Sequence, residues 1–241
     1  MIELVAERTD RALVLTLNRP AKRNALAESI VEDLIECLRD AHQEPTDLVV
    51  LRGEGKTFSA GFDFGGLAEA SDGDLLRRFV RVEQLLQLVF HAPFETLALA
   101  HGRVFGAAAD LVCACTHRVG TPDSAFRFPG LAFGIVLGTR RLAGRIGETA
   151  ARDVQGRGLT MDADHALRTG LLTEVADTSE WDELLARVAE GAGRVEADAR
   201  SVFHRALAAD SADADLADLV RSASVPGLRD RLQRFREEQK Q

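Results

Sequence analysis

The sequence predicts an α/β fold whose strands run parallel. Short apolar segments typical of strands alternate with longer segments in which apolar residues recur at helical spacing, and the alternation repeats about every 45 residues. The chain has 241 residues, of which 46% are hydrophobic and 28% are charged, so it can bury a substantial core. We therefore expect a globular protein that folds without a disulfide or a structural metal.

The first half of the chain contains the clearest elements of this fold. Two strands separated by the polar sequence ERTDR suggest an opening β-hairpin, and the run LVVL is typical of a buried strand. Two segments with apolar residues three and four apart are predicted as amphipathic helices. In chain order, these strands and helices are predicted at 2–6, 12–17, 27–42, 48–51, 73–90 and 96–100. A glycine-rich turn is expected at 53–66, and a helix built from very small residues begins at 106–111.

The last third of the chain is predicted to be helical. No strand pattern follows residue 177, and four helical segments are expected at 181–191, 197–208, 214–220 and 228–237. We predict a ββα core at 1–177 that carries the site, and a helical C-terminal region at 178–241. That region holds more apolar residues than so short a segment could bury on itself, which favours self-association. These residues are Val202, Phe203, Leu207, Leu216, Leu219, Val220, Leu228 and Leu232.

Charge and cysteine content restrict the partners and the compartment. Lys and Arg number 30 against 38 Asp and Glu, a net charge of −8, so nucleic acid would meet a repulsive field. The three cysteines, Cys37, Cys113 and Cys115, cannot all pair, which favours a reducing compartment. The sequence begins without a signal-peptide pattern, and its apolar runs are too short to span a bilayer. We expect a cytoplasmic protein with no nucleic-acid or membrane partner.

Three familiar motifs are present only in part. Gly55-Lys56-Thr57 lacks the first glycine of a phosphate loop, because Val50 stands at that position. Ser59 lacks the leading glycine of a nucleophile elbow. Cys113-x-Cys115 has no second pair of ligands, so no metal site is predicted.

Two segments can direct bare backbone N–H groups to one point. In the turn at 58–63, Gly61 permits the backbone angles that turn amides outward. At 106–110, small residues at a helix N-terminus leave its free amides open to a ligand. Two such donors would stabilise an enolate or a tetrahedral oxyanion. Alternatively, the small residues serve only to let a strand and a helix pack closely.

Four motifs in this order resemble the crotonase family, the enoyl-CoA hydratase/isomerase superfamily. They are LNRP to NAL at 17–26, FSAGxD at 58–63, HGxxxG at 101–106, and GR to AxxAxxxGL at 156–171. The resemblance implies a spiral of ββα units, helix-mediated trimers or hexamers, and an acyl-CoA thioester whose carbonyl sits in an oxyanion hole. It places the two donors at the backbone N–H groups of Phe62 and Ala107.

The same resemblance identifies candidate contacts for coenzyme A. Backbone groups around Ser59 and Ala60 match the segment that holds the adenine, and Asp63 belongs to the same motif. Lys22 and Arg23 lie where members of the family approach the phosphates. No cofactor is implied beyond the coenzyme A moiety of the substrate.

The chain departs from the family at the acids. Hydratases of the family carry two glutamates, and here their positions hold Asp110 and Gly130. His101 replaces the usual asparagine, and we interpret it as structural. A carboxyl in a run of apolar residues is costly to bury without a function, so we interpret Asp110 as the proton-transfer group. The alternative is a solvated or helix-capping carboxylate. Five apolar residues that follow are interpreted as core or as walls of an acyl pocket: Phe128, Leu131, Phe133, Ile135 and Val136.

The sequence predicts an enzyme of the enoyl-CoA hydratase/isomerase type in which Asp110 moves a proton beside a thioester enolate. One carboxylate suffices to move a proton between two carbons, whereas hydration benefits from a second group that positions water. This favours an isomerase or an unusual lyase, and an acid restored at Gly130 should favour hydration if the pocket has room. The alternatives are a CoA-ester-binding or accessory protein with decayed catalysis, or decarboxylation or thioester hydrolysis on the same scaffold.

Overall fold

The computed structural model describes residues 2–239, which form nine strands and ten α-helices. The strands are β1 (Leu4–Thr9), β2 (Ala12–Leu17), β3 (Leu48–Gly53), β4 (Glu95–Ala100), β5 (Arg103–Phe105), β6 (His117–Gly120), β7 (Ala125–Arg127), β8 (Thr160–Asp162) and β9 (Glu174–Val175). The helices are α1 (Glu28–Gln43), α2 (Asp72–Phe90), α3 (Ala107–Ala114), α4 (Thr139–Ile146), α5 (Glu148–Gly156), α6 (Ala163–Thr169), α7 (Trp181–Gly193), α8 (Ala197–Leu207), α9 (Ala212–Ala223) and α10 (Leu228–Glu238).

The main sheet has six strands in the order β1-β2-β3-β4-β6-β9. Strands β1 and β2 form the predicted antiparallel hairpin, and every later neighbour in this sheet pairs parallel. A smaller sheet, β5-β7-β8, lies at the end of the ββα units. The predicted α/β fold with parallel strands is confirmed. The first strand differs in its bounds, Leu4–Thr9 where 2–6 was predicted, because pairing with β2 continues to Thr9 through polar residues that were expected to form the turn.

The predicted helices are present with bounds that differ by a few residues. Helix α1 buries Ile30, Val31 and Leu34 on one face, as the spacing predicts. Helix α2 begins at a capping box in which the Ser71 hydroxyl accepts a hydrogen bond from the backbone N–H of Asp74. Sequence patterns did not predict β5, β7, β8 or α4–α6, which are short.

The C-terminal helices do not form a separate layer. Leu219, Leu228 and Leu232 are fully buried and belong to the same hydrophobic cluster as the core of residues 2–175. These three leucines are buried without a partner chain, because α9 and α10 both pack against α2 of their own chain. Helix α8 differs, since Val202, Phe203 and Leu207 on it are 55%, 58% and 70% exposed.

Candidate active site

A cavity of about 550 Å³ opens between the C-terminal ends of the parallel strands, the start of α3 and the end of α10. Four of the segments that line it each follow a strand or begin a helix. They are the loop after β2, the turn after β3, the junction of β5 with α3, and the 3₁₀ turn Gly130–Phe133. This position, beyond the carboxyl ends of the strands, is where open α/β sheets commonly bind ligands.

The first turn presents the N–H of Phe62 to the cavity. Gly61 has φ +80°, and its carbonyl oxygen accepts a hydrogen bond of 2.8 Å from Leu26 N–H. A trans peptide directs its N–H opposite to its carbonyl, so the N–H of Phe62 points away from Leu26. The Ser59 hydroxyl fixes the turn, because it donates to Asn24 O at 2.7 Å and accepts from Gly61 N–H at 3.1 Å. Within residues 2–239, Phe62 N–H donates no hydrogen bond.

The second donor is the first amide of α3. Gly106 precedes the helix with φ +58°, and its carbonyl oxygen accepts from Ala109 N–H at 2.8 Å and from Asp110 N–H at 3.1 Å. The peptide that links Gly106 to Ala107 therefore lies along the helix axis, with its N–H at the positive end of the dipole. In the described part of the chain, Ala107 N–H also lacks an acceptor.

The two turns are in direct contact, and glycine makes this possible. A Cβ atom at Gly61 would lie 2.2 Å from Phe105 O and 3.1 Å from Ala107 N. Any side chain at this position would therefore force the two segments apart. Phe62 and Ala107 both line the cavity, so their free amides can converge on one oxygen atom there.

Asp110 is the acid nearest to these donors along α3. Its side chain is 5% exposed, and within residues 2–239 Oδ1 has no hydrogen-bond partner. Gly138 packs against that oxygen so closely that a Cβ atom there would lie 2.3 Å from Oδ1. Burial raises the pKa of Asp110 well above its usual range; the positive charge of Arg141 lowers it in part, and Glu83 raises it further. Asp110 therefore lines the cavity as a buried carboxyl that holds its proton to higher pH than an exposed one.

A buried ion pair supports the back of the site. Arg141 on α4 donates to both carboxylate oxygens of Glu83, at 3.0 Å to Oε1, and to Asp215 Oδ2 at 3.3 Å. Arg141 and Glu83 are 1% and 0% exposed, so neither charge would be tolerated without the other. Glu83, Arg141 and Asp215 thereby connect α2, α4 and α9 near Asp110.

The mouth of the cavity is basic although the chain is acidic overall. Six basic side chains line the cavity, against the two acidic ones of Asp63 and Asp110. The basic residues are Arg19, Lys22, Arg23, Arg103, Arg127 and Arg236. Arg19 pairs with Asp63 and holds the pKa of that carboxyl below its usual range, partly offset by burial. The remaining positive charges suit a ligand with several phosphate groups.

The predicted coenzyme A residues fall into two groups. Lys22, Arg23, Ala60 and Asp63 line the cavity, so they are brought together as the motifs suggested. Ser59 is fully buried, and both functions of its hydroxyl are used within the turn. The structure thus assigns the Ser59 side chain to holding the first donor in place.

The interior of the cavity is strongly apolar. Seven of the chain's twelve phenylalanines line the cavity, among them Phe62, Phe79 and Phe133. Among the described residues that line it, none carries a hydroxyl group. Gly130 leaves no room for the missing second acid, because a Cβ atom there would lie 2.8 Å from Ile135 O. Among the described residues, this wall therefore offers no carboxyl or hydroxyl group that could hold a water molecule.

Other candidate residues lie away from the cavity. His101 bonds through Nε2 to Gly55 O at 3.0 Å and packs against Trp181. Burial raises the pKa of Cys113 to about 11 and that of Cys115 to about 12, as for inert thiols. Within residues 2–239, no three His, Cys, Asp or Glu side chains group as metal ligands would, and no helix is long and apolar enough to cross a membrane.

Sequence patterns missed the cavity residues that come from distant segments. Phe235 and Arg236 join the site because α10 folds back over the end of β7, where Arg127 donates to Gln239 Oε1. Arg103 on β5 and Arg127 on β7 line the cavity from the smaller sheet. Each of them is an ordinary charged or apolar residue on a strand or helix, so the neighbouring sequence does not mark it as part of a site. Glu83 is also hidden from pattern analysis, since its partner Arg141 lies 58 positions later.

Comparison with known proteins adds independent findings. The family model for enoyl-CoA hydratase/isomerase matches residues 7–224. "Probable enoyl-CoA hydratase echA6" of Mycobacterium bovis is 32% identical over 186 residues, which cover 75% of this chain and 74% of that protein. Ethylmalonyl-CoA decarboxylase of Pongo abelii is 32% identical over 185 residues, covering 73% and 60%. A crystal structure from Bordetella parapertussis, named as an enoyl-CoA hydratase/isomerase, has 46% identity and a TM-score of 0.96 over 98% of both chains.

Proposed function

Because the chain belongs to the enoyl-CoA hydratase/isomerase family, as its motifs predicted, we propose that it binds an acyl-CoA thioester in the cavity and acts through the thioester enolate. The crotonase-type α/β fold is confirmed, and the relatives support an enzyme of the hydratase/isomerase type. Lys22, Arg23 and the other basic residues at the mouth would face the phosphates of coenzyme A. Ala60 and Asp63 would lie along the adenosine end.

One observation carries the mechanism: two adjacent backbone amides, those of Phe62 and Ala107, are free and face the same cavity. A thioester oxygen placed between them would accept two hydrogen bonds that strengthen as negative charge develops on it. The loss of one such donor typically slows an enzyme by about 10²–10³-fold. We expect a bound thioester oxygen about 2.7–3.1 Å from both nitrogen atoms.

Asp110 is the proton-transfer group in this proposal. As a carboxylate it would take a proton from C2 of a 3-enoyl thioester, which forms the enolate, and return that proton to C4. This shifts the double bond to C2–C3 without a second acid. Hydration benefits in addition from a group that positions water, and the wall at Gly130 has no space for one because a Cβ atom there would lie 2.8 Å from Ile135 O. The site therefore favours isomerisation over hydration.

Decarboxylation is a second candidate that one observation favours. The buried Asp110 holds its proton to higher pH than an ordinary carboxyl, so it can act as an acid from the start. In a 2-carboxyacyl thioester the bond to the carboxylate would break and release carbon dioxide, the electron pair would pass to the enolate, and Asp110 would protonate the carbon. The relative named ethylmalonyl-CoA decarboxylase is consistent with this chemistry.

The proposal includes a homotrimer or hexamer. The exposed apolar side chains of Val202, Phe203 and Leu207 on α8 support it, because single chains rarely leave such a row in water. The cavity itself is lined within one chain, so assembly would serve stability. A cytoplasmic location is likewise part of the proposal.

A panel of thioesters tests the function. Purified protein would be incubated with 2-enoyl-CoA, 3-enoyl-CoA and 2-carboxyacyl-CoA, with saturable binding of a saturated acyl-CoA as the control and products identified by mass spectrometry. Isomerisation should accelerate as pH rises through the pKa of Asp110, because it needs the carboxylate, whereas decarboxylation should slow. Hydration as the only reaction would contradict the single-acid mechanism. Binding without any turnover would identify an accessory CoA-ester-binding protein.

A further inference from the structure

Two consecutive residues of α2 hold the ring of Phe62, whose N–H is the first proposed donor. The ring stacks on Phe79 with a centroid distance of 4.3 Å and an angle of 7° between the ring planes. The guanidinium carbon of Arg78 lies 4.5 Å from the Phe62 ring centroid. Stacked aromatic pairs and cation–π contacts both have preferred geometries, so together they restrain the ring in position and in tilt.

Arg78 also holds the backbone beyond that ring. Its Nη2 donates a hydrogen bond to Asp63 O, the carbonyl oxygen of the next residue. The Arg78 guanidinium is partly buried, and burial lowers its pKa while the charge of Asp63 raises it. One side chain thus contacts the Phe62 ring and the backbone that follows it.

The turn needs such support because its own restraints are weak on one side. Gly61 has no Cβ atom, so its backbone angles are intrinsically less restricted than those of other residues and depend on its neighbours. The hydrogen bond from Asp63 N–H to Leu26 O is long, at 3.4 Å. The peptide that carries Phe62 N–H is therefore anchored firmly at Gly61 O and loosely beyond Phe62.

We propose that Arg78 and Phe79 are positioning residues that fix the orientation of the Phe62 N–H toward the thioester oxygen. The inference rests on the proposed function, since it assumes that Phe62 N–H is an oxyanion donor. Misplacing a catalytic group by about 1 Å can slow a reaction by about 10²-fold, so the restraint has a measurable effect. Helix α2, which contributes no atom to the chemistry, would then determine the strength of the oxyanion hole.

The test compares Arg78→Met with Arg77→Met as a matched control. Arg77 is the neighbouring arginine, 54% exposed, and it pairs with Glu28 on the surface at 2.7 Å. Both variants remove one positive charge, but only the first removes the contacts to Phe62 and Asp63. Arg78→Lys keeps a charge and a donor and should recover part of the effect. Phe79→Leu removes the stacking while Arg78 stays, so it tests the proposal if Arg78→Met does not fold.

Two probes separate positioning from general binding. Hexanoyl-CoA carrying ¹³C at the thioester carbonyl reports hydrogen bonding through the frequency of its carbonyl stretch, and the hexyl-CoA thioether lacks that carbonyl. In the unaltered protein we expect a lowered frequency and about tenfold tighter binding of the thioester than of the thioether. In Arg78→Met the frequency should return toward the solution value and this preference should fall about threefold or more, while thioether binding matches that of Arg77→Met.

The outcomes distinguish the two proposals. An unchanged carbonyl frequency and an unchanged preference in both folded Arg78→Met and folded Phe79→Leu would overturn the positioning role alone. A carbonyl frequency in the unaltered protein equal to that in solution would overturn the oxyanion hole, and the positioning role with it. Neither measurement requires turnover, so both can be made before the substrate is known.

Discussion

Replacing Asp110 with asparagine should make the protein less active and, at neutral pH, more stable. The two side chains have nearly the same shape, so the cavity and thioester binding should persist. Asparagine cannot exchange a proton with carbon, and turnover should therefore fall by about 10²-fold or more. A residue whose removal stabilises the fold while it abolishes turnover is one that the site keeps for its chemistry.

The stability gain follows from the burial of the Asp110 carboxyl. Its folded pKa is raised, so the folded protein holds this proton more tightly than the unfolded chain does. The stability that this carboxyl contributes is complete below its unfolded pKa of about 4 and is lost as pH rises toward the folded pKa. One linked proton corresponds to about 1.4 kcal/mol per pH unit. Asparagine never ionises, so the variant does not lose this stability.

The measurement is the free energy of unfolding in urea, taken at fixed protein concentration from pH 4 to pH 9. The difference between Asp110→Asn and the unaltered protein should grow with pH by up to about 1.4 kcal/mol per unit and then level off at the folded pKa of Asp110. Asp33→Asn is the control, because it removes an exposed carboxylate from the middle of α1. It should change neither turnover nor the pH slope.

Two results would refute this reasoning. A stability difference that does not depend on pH would mean that Asp110 titrates alike in the folded and unfolded states, against its burial. Undiminished turnover in Asp110→Asn would make the carboxyl structural, and the proton would then come from another group or from no enzymatic chemistry.

Three further predictions concern Gly130 in the cavity wall, the start of helix α10, and the assembly of the chains. Gly130→Glu should lower the free energy of unfolding by about 1–3 kcal/mol without adding hydration, because its Cβ meets Ile135 O, and urea midpoints with product ratios check this. Asp72→Ala should lower the free energy of unfolding by about 1 kcal/mol at pH 7 and by little at pH 2. The Asp72 carboxylate accepts N–H hydrogen bonds from the start of α10, which lower its pKa, so the stability it contributes is lost as pH falls. Thermal melts at both pH values measure the difference. Phe203→Glu on α8 should give a monomer by light scattering, and an unaltered protein that is already monomeric would contradict the proposed trimer or hexamer.

The elements that sequence patterns predicted are those in which local and tertiary preferences agree. Helix α1 has an apolar face that is buried over its whole length, and β3 is a run of apolar residues that is buried on both faces. Strands β5 and β7 have three residues each, too few to show a period, and they exist because they pair with each other. Helix α4 is rich in arginine, and one of these residues, Arg141, is buried only because Glu83 receives it.

The candidate site likewise has parts that the sequence predicts and parts that only the fold brings together. The two donor turns could be located because each depends on a glycine, Gly61 or Gly106, whose conformation other residues adopt with strain. Of the basic residues at the mouth, only Lys22 and Arg23 were expected, because the others come from segments up to more than 200 residues apart that meet only in the fold. The lack of space for a side chain at Gly130 could not be predicted from sequence either, since the obstacle is the backbone oxygen of Ile135.

A site built from backbone amides leaves its side chains free to vary while its glycines and its supports stay fixed. Phe62 and Ala107 would contribute only N–H groups to the chemistry, so their side chains can serve the acyl cavity instead. The reaction must then be decided by the few side chains that reach the enolate, and here Asp110 is the one acid among the described residues of the cavity interior. Burial raises the pKa of that acid, so in the proposed mechanism its protonation state would decide whether it takes a proton from the substrate or gives one to it. In the proposed mechanism, the environment of Asp110, set by Gly138 and Arg141, would therefore determine which reaction the site carries out.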